Sequence, residues 1–186
     1  MNMTLSQLAL IVALFPCLSI LVYQGITGVP PLPSSEGEAS GVIALLRQTG
    51  LKNNAIVYEL GSGWGSLVIA LARAFPEARI RGIELSPLPY WVARFRTRKM
   101  PNVTLQRANF FDCDLTDAQA VSCYLMSKPM PRLAHLLDRM LKPGTPVVSI
   151  MFRFRGRDVA AVSNGPGTQG ATALYRWPAR KINDRA

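Results

Sequence analysis

Hydrophobic positions in this chain follow two regimes that meet near residue 30. In the first, Leu8 to Tyr23 reads LALIVALFPCLSILVY, interrupted only by Pro16 and Ser19. With its flanks, the apolar stretch runs 25 residues, from Leu5 to Val29. At ~1.5 Å per residue a helix of that length is roughly 37 Å long, enough to cross a ~30 Å hydrocarbon layer with tilt. Pro16 would kink it, which membrane helices tolerate. In the second regime, short strand-like runs alternate with helical periodicity. Ser35 and Glu38 form the S-x-x-E pattern of a capping box, opening a helix that carries Val42, Ile43, Leu45 and Leu46 and stops at Gly50. Strands are predicted at Ala55 to Leu60, Ile80 to Glu84, Val103 to Arg107, Val121 to Leu125 and Pro146 to Phe152. Helices are predicted at Ser66 to Phe75, Pro89 to Lys99 and Pro131 to Leu141. Val159 to Val162 and Ala171 to Trp177 are weaker strand candidates around a Gly-rich turn. This βαβα alternation predicts an α/β fold with a doubly wound, mostly parallel sheet, whose ligands bind at the carboxyl ends of the strands.

Charge sharpens the division. The chain has 21 Lys and Arg against 11 Asp and Glu, for a net charge of +10, yet its mean hydropathy is +0.17. No charged side chain precedes Glu36, so the whole excess belongs to the second regime, where charged residues rise to about 21%, ordinary for a globular domain. The expected organisation is an anchor at 1–29, a Pro-rich linker at 30–38, a catalytic domain at 39–178 and a basic tail at 179–186. A cleaved signal peptide is the rival of the anchor. It wants positive charge before the apolar run and a small-residue cleavage site, and Met1 to Gln7 has no Lys or Arg. A hydrophobic hairpin or partner-docking helix is the third reading. Every Lys and Arg lies after the apolar run, which favours a cytoplasmic domain, or a matrix one in a mitochondrion. One His and three Cys without a C-x-x-C pair exclude a zinc site.

Val57 to Ser66 reads VYELGSGWGS, between a predicted strand and a predicted helix. A dinucleotide fingerprint would be G-x-G-x-x-G. Here the glycines are Gly61, Gly63 and Gly65, with Ser66 where that third glycine belongs. Glu59, two residues before Gly61, would repel a pyrophosphate and suit a cationic head. Glu84 ends the next strand, 19 residues after Gly65, where an acid accepts hydrogen bonds from both ribose hydroxyls. A ribose with a cationic amino-acid end and no phosphate describes S-adenosylmethionine (SAM).

Ile56 to Gly65 resembles motif I of the class I SAM-dependent methyltransferases, and Glu84-Leu85 resembles their motif II acid and adenine-contacting residue. Ala108 to Asp112 (ANFFD) is similar to their segment after strand three, with Asn109 in place of the usual Asp. The resemblance implies a Rossmann-like, seven-stranded sheet. It also implies a SAM site drawn from Glu59, Gly61, Ser62, Gly63, Trp64, Gly65, Glu84, Leu85, Asn109, Phe110 and Tyr124. Asn109 would accept from the adenine amino group through its amide oxygen, and Phe110 or Phe111 would form an adenine wall. Trp64 either covers the ligand or fills core. More closely, the apolar segment, Pro30 to Ser34, Glu84 to Pro87 with Trp91, and Tyr124 to Met130 (YLMSKPM) resemble the small membrane-anchored protein-lysine methyltransferases. That family includes enzymes acting on the ATP synthase c-subunit and on the adenine nucleotide translocase. Ser86 and Lys128 depart from its pattern.

The loop after strand four holds the acceptor in such enzymes. Ser127-Lys128-Pro129-Met130 lacks the D/N-P-P-Y/F of the DNA base methyltransferases, which argues against nucleic-acid bases as acceptors. Tyr124 and Ser127 are the candidates for orienting an acceptor nitrogen; no base is assigned. His135, among Leu133, Leu136 and Leu137, reads as structural. Trp91 and Phe95 are expected to anchor their helix to the sheet. Basic clusters at Arg94 to Lys99, Arg153 to Arg157 and Arg176 to Arg185 suit anionic headgroups, a plain solvated surface, or nucleic acid. No RNA-binding module is visible, which ranks nucleic acid last. The leading expectation is a membrane-anchored SAM-dependent methyltransferase acting on lysine of a membrane-associated protein. A methyltransferase of a lipid, quinone or hydrophobic small molecule, and a non-catalytic SAM-fold scaffold, are the alternatives.

Overall fold

The computed structural model describes residues 34–163 and 171–179, together with Thr4 and Gln7. Apart from Thr4 and Gln7, the expected anchor lies outside the described residues, as do the basic residues from Arg180 onward. Among the described residues, no helix is long and apolar enough to cross a membrane.

From Ser34 on, the described residues form four α-helices and seven strands that alternate as expected. They are α1 (Glu36–Arg47), β1 (Ile56–Leu60), α2 (Ser66–Ala74), β2 (Arg79–Glu84), α3 (Pro87–Thr97), β3 (Val103–Arg107), β4 (Ala120–Cys123), α4 (Met130–Met140), β5 (Thr145–Ile150), β6 (Ala161–Ser163) and β7 (Thr172–Trp177). The capping box at the start of α1 is complete. Glu38 N–H donates to Ser35 Oγ at 3.2 Å, and Ser35 N–H donates to Glu38 Oε2 at 2.8 Å. Helix α1 therefore begins at Glu36, inside the stretch assigned to the linker.

The strands form one sheet in the order β3-β2-β1-β4-β5-β7-β6. Strands β1 to β5 pair in parallel, and β7 runs antiparallel between β5 and β6. Strands β1, β4 and β5 are buried along their whole length, as central strands covered on both faces must be. One face packs Tyr58, Leu60, Ile83, Val121 and Val147 against Leu133, Leu136 and Leu137 of α4. The other packs Val57, Ile80, Ala120 and Val148 against Leu45 and Leu46 of α1 and Leu67, Val68 and Leu71 of α2. At the β3 edge the exposed positions are polar: Thr104, Gln106 and Arg107, which discourages pairing with another chain.

One packing expectation is overturned. Trp91 and Phe95 do not anchor α3: they are 57% and 65% exposed. The buried residues of α3 are Pro89, Tyr90, Ala93 and Thr97. The reason is steric. Ala93 lies under the glycine loop, where a Cβ built on Gly65 would come within 2.9 Å of the Ala93 Cβ. A large ring has no room on that face, so the aromatic pair faces solvent.

Candidate active site

Four chain segments converge at the carboxyl ends of β1, β2, β3 and β4. The loop after β1 is tied to the end of β2, because the N–H groups of Gly61 and Ser62 both donate to the Ile83 carbonyl at 2.9 and 3.0 Å. The end of β3 joins them through Ala108 N–H, which donates to the Glu84 carbonyl at 3.1 Å. The segment after β4 closes in from the other side, with Leu125 Cδ2 2.9 Å from where a Cβ on Gly61 would stand. Gly82 of β2 supports the loop from below, since a Cβ there would meet Leu105, Val68 and Ser62 at 2.6, 3.0 and 3.1 Å. Its spacing within β2 gave no motif signal.

Gly65 is the N-cap of α2 and has φ of +80°, a left-handed backbone that an L side chain adopts at a cost. Trp64, between Gly63 and Gly65, is half-buried, so its ring is not a core side chain. Its carbonyl accepts from Arg96 Nη1 at 2.6 Å, and the same guanidinium nitrogen lies 3.3 Å from Ser66 Oγ. Arg96 thus fastens the glycine loop to α3. In the sequence it was one member of a basic run, with nothing to single it out.

Glu84 is 8% exposed. Its Oε2 accepts from Gly63 N–H at 2.8 Å and its Oε1 from Ser86 N–H at 2.7 Å. The carboxylate is thereby fixed against both the glycine loop and the β2–α3 turn. Each oxygen retains a lone pair for a further donor. Leu85, immediately after it, is half-buried.

Glu59 is the electrostatic anomaly. It is 2% exposed, and its Oε2 has no hydrogen-bond partner. Burial pushes its carboxyl well above the usual range, the charge of Glu84 pushes it further, and the Val68 N–H in the first turn of α2 opposes both. The Ser62 hydroxyl in the neighbouring loop is also buried without a partner. Unpaired buried polar atoms cost stability, and these two at the carboxyl edge can take a ligand's donor and acceptor. A cationic amine fits the Glu59 oxygen, and the two acids together fit the ammonium and ribose ends of SAM.

The Asn109 amide oxygen accepts from Phe111 N–H at 3.1 Å and caps the short 3-10 turn Phe110–Asp112. One of its two lone pairs is thus used by the local turn, and the other remains for a further donor. Phe110 and Phe111 are both half-buried, with ring centroids 4.4 Å apart, and Arg132 stacks over Phe111 at 4.1 Å. Tyr124 follows β4 directly and is half-buried. Burial raises its hydroxyl above the ordinary phenol value, and the charge of nearby Glu38 raises it further. Glu38 is 3% exposed. The sequence showed it only as a cap, whereas the fold also makes it the partner of Tyr124. Ser127 is exposed at the approach to α4, where its carbonyl accepts from Met130 N–H at 3.3 Å. Cys123 is buried with its thiol pushed up to about 12 by desolvation, so it stays protonated and is a poor nucleophile. His135 is exposed on α4. Among the described residues no cluster of His, Cys, Asp and Glu would hold a metal ion.

The chain is similar to several methyltransferases. The family model of the ANTKMT methyltransferase domain matches residues 59–161, more than half of the chain. A protein-lysine N-methyltransferase of Saccharolobus islandicus (strain REY15A) is 29% identical over 143 residues, covering 74% of this chain and 87% of that protein. The solved structure of an RNA methyltransferase from Salinibacter ruber, in complex with S-adenosyl-L-homocysteine, is similar with a TM-score of 0.68. It is 27% identical and covers 77% of this chain and 92% of its own. A precorrin methyltransferase from Geobacter metallireducens GS-15 shares the fold, with a TM-score of 0.55 at 21% identity over 72% of this chain and 85% of that one. The match from Glu59 through Ala161 takes in the glycine loop, both acids and the segments after β3 and β4: this chain belongs to the ANTKMT methyltransferase domain family and is a class I SAM-dependent methyltransferase.

Proposed function

We propose that this enzyme methylates the ε-amine of lysine in a membrane-associated protein, and that residues 5–29 anchor it as a single membrane span. The domain would stand on the cytoplasmic face of a bacterial inner membrane, or on the matrix face if the protein is mitochondrial. The observation that carries the chemistry is the orphaned Glu59 oxygen beside Glu84. In this reading Glu59 takes the ammonium of SAM and Glu84 its ribose hydroxyls. Gly61, Ser62, Gly63, Trp64 and Gly65 line the amino-acid and ribose path, and Leu85, Asn109 and Phe110 border the adenine. SAM supplies an electrophilic methyl group on a sulfonium.

The chain's remaining task is to bring a neutral amine in line with that methyl. A lysine side chain has a reference pKa of ~10.4, and burial in a dry pocket lowers it. Tyr124 stands just after β4, with its hydroxyl near Glu38. With its pKa raised it stays a neutral phenol at physiological pH, suited to orient an acceptor nitrogen by hydrogen bonding rather than to remove its proton. Positioning of this kind accounts for a large part of rate enhancement in two-substrate reactions.

A lysine acceptor is favoured by the family and by the protein-lysine relative. The anchor is favoured by the uncharged run that precedes the domain, and confinement to a surface raises the effective concentration of a membrane-bound substrate. The test is to incubate membranes holding the full chain with methyl-labelled SAM and to separate protein, lipid and RNA. Label on lysine of membrane-associated protein is expected. Label confined to the lipid or RNA fraction would overturn the acceptor assignment.

A further inference from the structure

Helix α3 turns two large aromatic rings to solvent, and both carry a guanidinium. Arg94 Cζ lies 5.5 Å from the Trp91 ring centroid and Arg98 Cζ 3.9 Å from that of Phe95. From Pro87 to Lys99 the chain has Arg94, Arg96, Arg98 and Lys99 and no acidic residue. The core does not need these rings, because Pro89, Tyr90, Ala93 and Thr97 bury the helix. Aromatic side chains at headgroup depth with cations on the phosphates are what a membrane interface selects.

The placement of α3 points to the same occupant. It starts at the carboxyl edge of the sheet, just after β2, and Trp91 lies in its first half. The start of α1 sits at that edge too, because Glu38 partners Tyr124, the residue following β4. Four residues, Pro30 to Pro33, separate Val29, the end of the apolar run, from Ser34, and the five Cα–Cα steps reach at most about 18 Å. A chain anchored by that run keeps its carboxyl edge, and with it α3, within reach of the headgroups.

We propose that the exposed face of α3, formed by Trp91, Phe95, Arg94 and Arg98, docks on an anionic phospholipid surface beside the site of methyl transfer. The geometry rests on the anchored reading, whereas the lipid contact itself does not. Because Ala93 and Arg96 of the same helix hold the glycine loop, docking places the SAM site next to the bilayer, where a membrane-embedded lysine emerges.

The test uses the full chain with vesicles of phosphatidylcholine, alone or mixed with phosphatidylglycerol. Flotation on neutral vesicles at high salt reports the anchor. Quenching of tryptophan fluorescence by brominated lipid, taken as the difference between the protein and its Trp91→Phe variant, reports the face. The expected result is strong quenching of the Trp91 component with anionic lipid, weakened severalfold by high salt and by Arg94→Gln/Arg98→Gln. Flotation with an unquenched Trp91 would overturn the proposal while leaving the anchor standing. If the chain does not float on neutral vesicles, the anchor reading fails. Docking is then judged at low salt on anionic vesicles: loss of flotation in Trp91→Ala/Phe95→Ala supports it, and equal flotation overturns it. A Trp91 shielded by added RNA or protein but not by lipid also counts against it. Both rings are exposed, so the variants should keep the melting temperature of the parent protein.

Discussion

Glu59 weakens the fold where it stands. Its carboxyl is raised above the ordinary value, so the native state holds a proton that the unfolded state releases. Stability linked to this group is complete below the usual carboxylate range and is lost as pH rises through the raised value. Glu59→Gln removes the charge and keeps the shape. We expect its unliganded melting temperature to exceed the parent's at neutral pH by about 2–4 °C per kcal/mol relieved, with no difference near pH 4; calorimetric scans at the two pH values check this. The same variant should lose SAM affinity at neutral pH, because the ligand's ammonium has no carboxylate to meet. For the parent, SAM affinity should rise with pH as Glu59 ionises, until the ligand's own amine begins to lose its proton. Tyr124→Phe is the complementary change. It should lower kcat about tenfold, the worth of one hydrogen bond in a desolvated site, with a smaller change in SAM affinity. Single-turnover kinetics would separate the two effects. Glu59, Glu84 and the three glycines were legible in the sequence because their spacing is a local property of one strand-loop-helix unit. Glu38 was legible only as a cap, since its contact with Tyr124 joins residues far apart in the chain.

At the scale of elements, the glycine loop and α3 act as one piece. Ala93 packs under Gly65, and Arg96 holds the Trp64 carbonyl. Gly65→Ala would place a side chain at φ +80° and 2.9 Å from the Ala93 Cβ. A loss of at least about 1–2 kcal/mol is expected from the backbone conformation alone. Ala93→Gly in the same chain should recover the clash but not the backbone cost, so a double-mutant cycle in chemical denaturation should give a coupling above about 0.5 kcal/mol. Strand and helix placement followed from hydrophobic periodicity to within a residue or two at most boundaries, including the antiparallel pair β6 and β7. The facing of α3 did not. Both Trp91 with Phe95 and Tyr90 with Ala93 and Thr97 are stripes at helical spacing, and size favoured the wrong one. Only the close approach of Gly65 decides between them, and that contact exists in three dimensions alone. The cap that Asn109 makes on its own 3-10 turn was likewise not legible, because short polar side chains form such local bonds in many sequence contexts.

For the whole molecule, the unequal spread of charge is the organising fact. All of the +10 lies beyond Ser35, in the folded domain and its tail. A domain so charged is drawn to anionic surfaces, and the attraction falls with salt. The methyl-transfer site and the starts of α1 and α3 lie at the carboxyl edge of the sheet, and the aromatic face of α3 runs back from that edge along the helix. The sequence exposed the division between an uncharged run and a basic domain. It could not show that the site and the starts of α1 and α3 share one edge, because that depends on the crossover connections of the sheet. All of this presupposes that the carboxyl edge holds SAM through Glu59 and Glu84. The most direct measurement is titration calorimetry of SAM into the full chain in detergent, with Glu84→Ala alongside. Saturable binding to the parent is predicted, with affinity lowered on the order of tenfold or more in Glu84→Ala, as removal of a charged hydrogen-bonding group requires. A folded parent that binds no SAM, or equal affinity in the two proteins, would contradict it.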